Sequence, residues 1–195
     1  MKKEEYPDFV HLSANEEEGS DYRIEVAPRD SEVLILAPHG GKIEFLTSQI
    51  AREIAGEDHS LYIFEGLTKK EGSTLHITSD RFDEPRALEI VGRSEKIIAI
   101  HGRKDRGEAE TTWVGGLDAA TGDAILRRLR ERGFRIRFET ILLGGRHPRN
   151  ICNRGRNSAG VQLEIPRSLR DRFAKEPETM QDFVQAVREA LRTGD

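Results

Sequence analysis

The most constraining feature is a run of apolar residues that ends abruptly in a glycine turn: Val33-Leu34-Ile35-Leu36-Ala37-Pro38-His39-Gly40-Gly41-Lys42-Ile43-Glu44. Four consecutive apolar positions suit a strand covered on both faces, because a half-exposed strand would alternate. Pro38 lacks the N–H that a central ladder needs, so the ladder is expected to stop there. Gly40 and Gly41 let the chain fold back, and Glu44 is expected to open the following helix. His39 then stands at the C-terminal edge of the strand, where open α/β sheets gather their sites. An imidazole and a carboxylate brought together this way suit a divalent metal, zinc above all. A plain strand-to-helix turn, with a capping His and a Glu favouring the helix N-terminus, accounts for the same residues equally well.

The pattern then repeats. Lys96-Ile97-Ile98-Ala99-Ile100-His101-Gly102 is a second apolar strand that ends in His-Gly. Two such endings in one chain favour a site over a pair of buried histidines. His39, Glu44 and His101 together make two imidazoles and one carboxylate with a fourth position open, the donor set of a catalytic rather than a structural zinc. The chain has a single cysteine, Cys152, so neither an internal disulfide nor a thiolate zinc cluster is available.

Amide hydrolysis at such a site needs a general base. Glu164 is the candidate. It lies in Gly160-Val161-Gln162-Leu163-Glu164-Ile165-Pro166, where alternation puts Gln162 and Glu164 on one face and Val161, Leu163 and Ile165 on the other. A carboxylate in so apolar a strand is costly without a partner, although a solvent-facing Glu on an edge strand gives the same pattern. The Gly144–Gly155 segment, rich in Gly, Arg and Asn, is too long for a simple connection. Its Arg146, Arg149 and Arg154 suit bidentate binding of carboxylates. His76 and His147 are further candidate ligands or donors, while core or surface roles explain each more simply.

Elsewhere the periods alternate between two and 3.6. Strands are expected at Arg23–Val26, Leu61–Phe64, Leu75–Thr78, Thr111–Gly116 and Phe134–Phe138. Helices are expected from Ile43 to Gly56, from Pro85 to Gly92, from Asp118 to Gly133, and after Thr179 and Asp182. Residues 1–19 form an arm that packs through Tyr6, Phe9, Val10 and Leu12, and Lys69–Gly72 is an exposed turn. Alternating strands and helices over 195 residues argue one α/β domain spanning 1–195, a mixed sheet flanked by helices. The net charge is −4, which gives no general case for nucleic acid. Basic residues nevertheless cluster over 127–172, which points to an anionic partner. No signal peptide or membrane span is visible, so a cytoplasmic monomer with no membrane or nucleic-acid partner is expected.

These segments, in this order, resemble the phage poly-γ-glutamate hydrolases and their bacterial homologues. The resemblance rests on Asp21-Tyr22-Arg23, on Ala37 to Gly41 leading to Glu44, and on Tyr62 to Gly66. It continues through Leu75 to Thr78, Ile100-His101-Gly102, Gly115-Gly116, Asn150-Ile151-Cys152-Asn153-Arg154, and Gly160 to Glu164. It implies a core similar to zinc carboxypeptidases and one zinc ion at the residues matching His39, Glu44 and His101. It also implies a glutamate base, here Glu164, and cleavage of γ-linked glutamate polymers. The Asn153-Arg154 pair looks like the Asn-Arg that holds a substrate carboxylate in carboxypeptidases, although its chain position differs. A deacylase of small acidic N-acyl amino acids would use the same residues, and a non-catalytic metal or polyanion binder would keep them without turnover.

Overall fold

The computed structural model describes residues 4–68 and 73–192. The chain runs through β1 (Glu4–Tyr6), α1 (Phe9–Ser13), β2 (Tyr22–Ala27), β3 (Val33–Gly41), α2 (Thr47–Ala55), β4 (Ser60–Gly66), β5 (Ser73–Ile77), α3 (Pro85–Arg93) and β6 (Lys96–Arg103). It continues through β7 (Thr111–Gly116), α4 (Ala119–Glu131), β8 (Arg135–Phe138), a 3-10 turn at Ile151–Asn153, β9 (Val161–Pro166), α5 (Arg167–Lys175) and α6 (Pro177–Arg192). The turn expected at Lys69–Gly72 lies outside the described residues. Among the described residues no helix is long and apolar enough to cross a membrane.

Seven strands form one mixed sheet in the order β2-β4-β3-β6-β9-β7-β8. Its centre, β4-β3-β6-β9, is parallel, while β2 and β7 join antiparallel to β4 and β9. The expected α/β mixed sheet flanked by helices is therefore what the chain forms. Side-chain alternation sends the two sets of strand residues into two cores. Val33, Ile35 and Ala37 pack toward α2, α4, α5 and α6, together with Ile98, Ile100, Val161, Leu163 and Ile165. Leu34 and Leu36, with Ile97 and Ala99, face α1, α3 and the 3-10 turn. Helix-covered faces on both sides explain why the central strands read as unbroken apolar runs.

Several boundaries differ from the sequence reading, each for a local reason. Pro38 does not end β3. The pairing with β4 slips there, with Ala37 opposite Ile63 but Gly40 opposite Glu65, so β3 carries one surplus residue. A proline inside a bulge forfeits no ladder hydrogen bond. Glu44 does not open α2. Leu46 adopts a left-handed conformation (φ 72°) and the helix begins only at Thr47. The C-terminal helix begins earlier than expected, at Pro177, and α5 precedes it. The mean charge of α5 hides a buried stripe of Leu169, Arg170 and Phe173. In the N-terminal arm Leu12 is buried and Tyr6 and Phe9 pack on the core, but Val10 is 70% exposed.

Candidate active site and metal centre

The surplus residue in β3 decides where His39 points. Strict alternation would send it with Val33, Ile35 and Ala37 toward α2. The bulge turns it to the opposite face, where it meets His101 at the end of β6. The two Nδ1 atoms lie 3.2 Å apart. Glu44 Oε1 lies 3.5 Å from His39 Nδ1, and Glu44 Oε2 lies 3.6 Å from His101 Nδ1. All three donor atoms fall within 4.8 Å of one another.

The tautomers follow from the partners on the far side of each ring. A carbonyl only accepts, so His39 Nε2–H donates to Ile77 O at 2.7 Å. A neutral ring then carries its lone pair on Nδ1. Ser79 Oγ lies 3.4 Å from His101 Nε2 and is able to accept its N–H, an arrangement that leaves the His101 Nδ1 lone pair for an ion. The two Nδ1 atoms, 3.2 Å apart and both beside Glu44, then converge on one point, which a shared proton fills in the ion-free protein and a divalent cation can fill instead. Both rings are also oriented from behind, as metal-ligating histidines are. The donor set therefore fits a divalent metal.

The loop that carries Glu44 is tied at both ends. Gly41 supplies a left-handed turn (φ 64°) close against Gly66 O, Glu44 N donates to His39 O at 2.9 Å, and Gly102 N donates to Glu44 Oε2 at 2.7 Å. Arg170, only 4% exposed, clamps the loop from below. It donates to Ile165 O (3.0 Å), Phe45 O (2.6 Å) and Arg103 O (3.1 Å). The guanidinium lies so close to Gly102 that an added Cβ would sit 2.5 Å from its Cζ. Burial opposes ionisation of Glu44, but the imidazoles of His39 and His101 hold its carboxyl well below the usual carboxylate range. Burial likewise opposes charge on His101, and Glu44 more than offsets it, raising that imidazole.

Glu164 stands directly opposite His101 in the β6–β9 pairing and opposite Trp113 in the β9–β7 pairing. β9 is an interior strand, so the solvent-facing edge reading does not hold, and Glu164 is 5% exposed. Burial, with the nearby Glu44 charge adding to it, pushes its pKa up to about 7 against the pull of His101. Gln162 shares its face, as alternation predicts, and donates Nε2–H to Glu164 Oε1 at 2.8 Å. The remaining oxygen, Oε2, is left for the cavity.

That cavity has a volume of about 640 Å³ and is lined by His39, Glu44, His101 and Glu164 together with residues of three loops. Of the four binding residues expected from sequence, Arg146 lines it. Asn153 is buried and fully used as a staple: its Nδ2 donates to Gly145 O and His147 O, and its Oδ1 accepts from Gly160 N. Arg154 donates to Phe82 O and Arg149 is exposed; both lie off the cavity wall. Much of the basic stretch is neutralised locally, as in the Arg137–Glu108, Arg167–Asp171 and Arg172–Glu176 pairs. His147 and His76 do reach the cavity. The His76 ring packs 4.1 Å from that of His39, and burial and then the His39 charge lower its pKa to about 3.

Sequence reasoning missed Lys104 and Arg106, which also line the cavity. It missed Arg103 as well, whose guanidinium stacks 3.8 Å from the centre of the Trp113 ring. Arg103 holds the following loop through Lys104 O, Asp105 O, Glu108 O and Thr111 O. Its place two residues beyond His101, on the same face of β6, was the available signal.

Comparison with known proteins follows the same outline. The family profile described as poly-gamma-glutamate hydrolase matches residues 6–188. UPF0714 protein YmaC of Bacillus subtilis (strain 168) is 40% identical over 171 residues, covering 86% of this chain and 71% of that protein. A bacteriophage poly-gamma-glutamate hydrolase superposes with a TM-score of 0.90 at 31% identity, covering 96% of both chains. YndL, solved in an apo form described as zinc-free, superposes with a TM-score of 0.89 at 33% identity, covering 97% of this chain and 98% of that one.

Proposed function

This chain belongs to the poly-γ-glutamate hydrolase family, and on that premise we propose that it is a zinc-dependent amidohydrolase that cleaves γ-glutamyl amide bonds, with poly-γ-glutamate as its substrate. The observation that carries the reading is the meeting of His39 Nδ1, His101 Nδ1 and a Glu44 oxygen within 4.8 Å, beside a buried carboxylate in the next strand. Zinc is supported by the donor set and by the relative YndL, whose apo form is described as zinc-free.

His39, Glu44 and His101 would hold the ion. When bound, zinc supplies Lewis-acid polarisation of the amide carbonyl and a lowered pKa for water. Glu164 takes a proton from the attacking water on Oε2 and hands it to the leaving nitrogen. A carboxyl whose pKa lies near 7 is matched to both halves of that task, since it neither holds nor refuses a proton too strongly at neutral pH. Gln162 keeps Oε1 occupied, so the proton travels on one defined oxygen. Arg146, Lys104 and Arg106, all on the cavity wall, bind substrate carboxylates. Asn153 shapes the loop that carries Arg146.

The test is incubation with poly-γ-glutamate and zinc, followed by chain-length analysis, with chelator-treated protein and α-linked polyglutamate as controls. Shortening of the γ-linked polymer that stops on chelation and returns with zinc is expected. Full activity in metal-free protein would refute the mechanism. An intact polymer beside rapid hydrolysis of small N-acyl amino acids would replace the substrate.

A further inference from the structure

Three apolar side chains stand in solvent at the rim of the cavity. Ile141 is 92% exposed, Leu142 46% and Leu143 37%. Their loop is pinned rather than slack. Glu139 Oε1 accepts from Ile141 N (2.8 Å) and Leu142 N (3.1 Å), Leu143 O accepts from Gln162 Nε2 at 3.1 Å, and Gly144 O accepts from Gly116 N at 2.8 Å. Leu143 is held at φ 60°, a conformation costly for a side chain with a Cβ. A backbone fixed so firmly to hold apolar groups in water points to a ligand that covers them.

Ile141 and Leu143 line the cavity together with Lys104, Arg106 and Arg146, whereas Leu142 does not line it. The cavity thus has an apolar lip and cationic walls. We propose that Ile141 and Leu143 form a binding lip for the aliphatic main-chain segment of a γ-linked glutamyl substrate, while the cations take its carboxylates. This rests on the function proposed above. In a γ-linked chain two methylenes separate each carbonyl carbon from the carbon that bears the carboxylate, so apolar and anionic groups alternate along the main chain. An α-linked chain carries those methylenes in its side chains instead. A lip that served to press the protein onto a lipid surface would seal the mouth of the cavity it lines.

The test compares wild type with Ile141→Ser, Leu143→Asn (Asn tolerates the left-handed backbone) and Leu142→Ser, each first shown to melt as wild type does. Turnover and calorimetric binding of a γ-linked glutamate oligomer are measured with zinc present. For Ile141→Ser and Leu143→Asn, KM and Kd are expected to rise about tenfold, the worth of about two methylenes returned to water, with kcat within about twofold. Leu142→Ser is expected to leave all three constants unchanged. Unchanged KM and Kd in the first two variants would overturn the lip. A wild type that binds the oligomer without cutting it would sink the proposed reaction and leave the lip to be judged on Kd. One that neither binds nor cuts would sink both. Wild-type sedimentation with anionic vesicles, abolished in Ile141→Ser while oligomer binding is untouched, would also overturn the lip, in favour of a membrane contact.

Discussion

Glu164 and His101 face each other across neighbouring parallel strands, in register and on the same side of the sheet. The proposed proton-transferring carboxylate and one proposed metal ligand are therefore spaced by strand geometry alone, about 4.8 Å between backbones, and loop motion does not separate them.

Glu164→Gln removes the base while keeping shape and the contact with Gln162. We expect kcat to fall about a thousandfold, within the range for loss of a general acid–base group, with bound zinc unchanged by elemental analysis. Loss of zinc along with activity would instead make Glu164 a ligand.

The same substitution has a stability consequence of opposite sign. The folded-state pKa of Glu164 is raised from 4.5 to about 7. Its favourable contribution is therefore complete below about pH 4.5 and is lost as the pH rises through about 7. At pH 8 the metal-free wild type bears a buried charge costing about 3 kcal/mol. Metal-free Glu164→Gln is expected to melt several degrees above wild type at pH 8, with the gap closing by pH 5. An equal gap at both values would show that the carboxylate is not desolvated.

Removing any one of the three candidate ligands tests the centre itself. His39→Ala, His101→Ala and Glu44→Gln are each expected to drop zinc content below stoichiometric and to cut activity by at least about a hundredfold. Ser79→Ala only loosens the orientation of His101, so zinc affinity is expected to fall by about tenfold. Zinc titration against a competing chelator ranks the four.

Arg170→Met deletes three hydrogen bonds to carbonyls buried beneath the Glu44 loop. A loss of about 3 kcal/mol of stability is expected, because buried carbonyls left without donors each cost about 1 kcal/mol or more. Denaturant melts read this directly. Zinc affinity should fall in the same variant, since Phe45 O, next to Glu44, loses its anchor.

Gln162→Ala frees Glu164 Oε1 and takes away a hydrogen bond that lowers its pKa. The acid limb of the kcat/KM profile is expected to move to higher pH, with kcat down about tenfold at neutrality. A profile that falls in height without moving would leave Gln162 a packing role only.

Much of this was legible in the sequence because hydrophobic period and ligand chemistry pointed to the same residues. The runs ending at His39 and His101 announced strands covered on both faces, and alternation in Val161–Pro166 put Gln162 on the same face as Glu164. What stayed hidden depends on register and on long-range backbone contacts. No local pattern says that Pro38 sits in a bulge, that Arg170 reaches back to Phe45, or that both amide hydrogens of Asn153 are spent on loop carbonyls. Charge counts alone could not sort the Arg-rich stretch of 127–172: several of its guanidinium groups pair with nearby acids, as Arg137, Arg167 and Arg172 do, and only the fold places Arg146 on the cavity wall.

The slip in β3 between Ala37 and Gly40 makes reactivity a matter of counting. Iron that slip out without changing the length of the strand and the pleat would run true, turning the imidazole of position 39 into the greasy layer beneath α2 and leaving its partner alone. Such a descendant would keep its sheet and its helices, and would still be recognised by overall likeness as kin. It would have no working centre, so kinship by shape should be accepted as kinship by chemistry only after the residues between those two positions have been counted against those of β4.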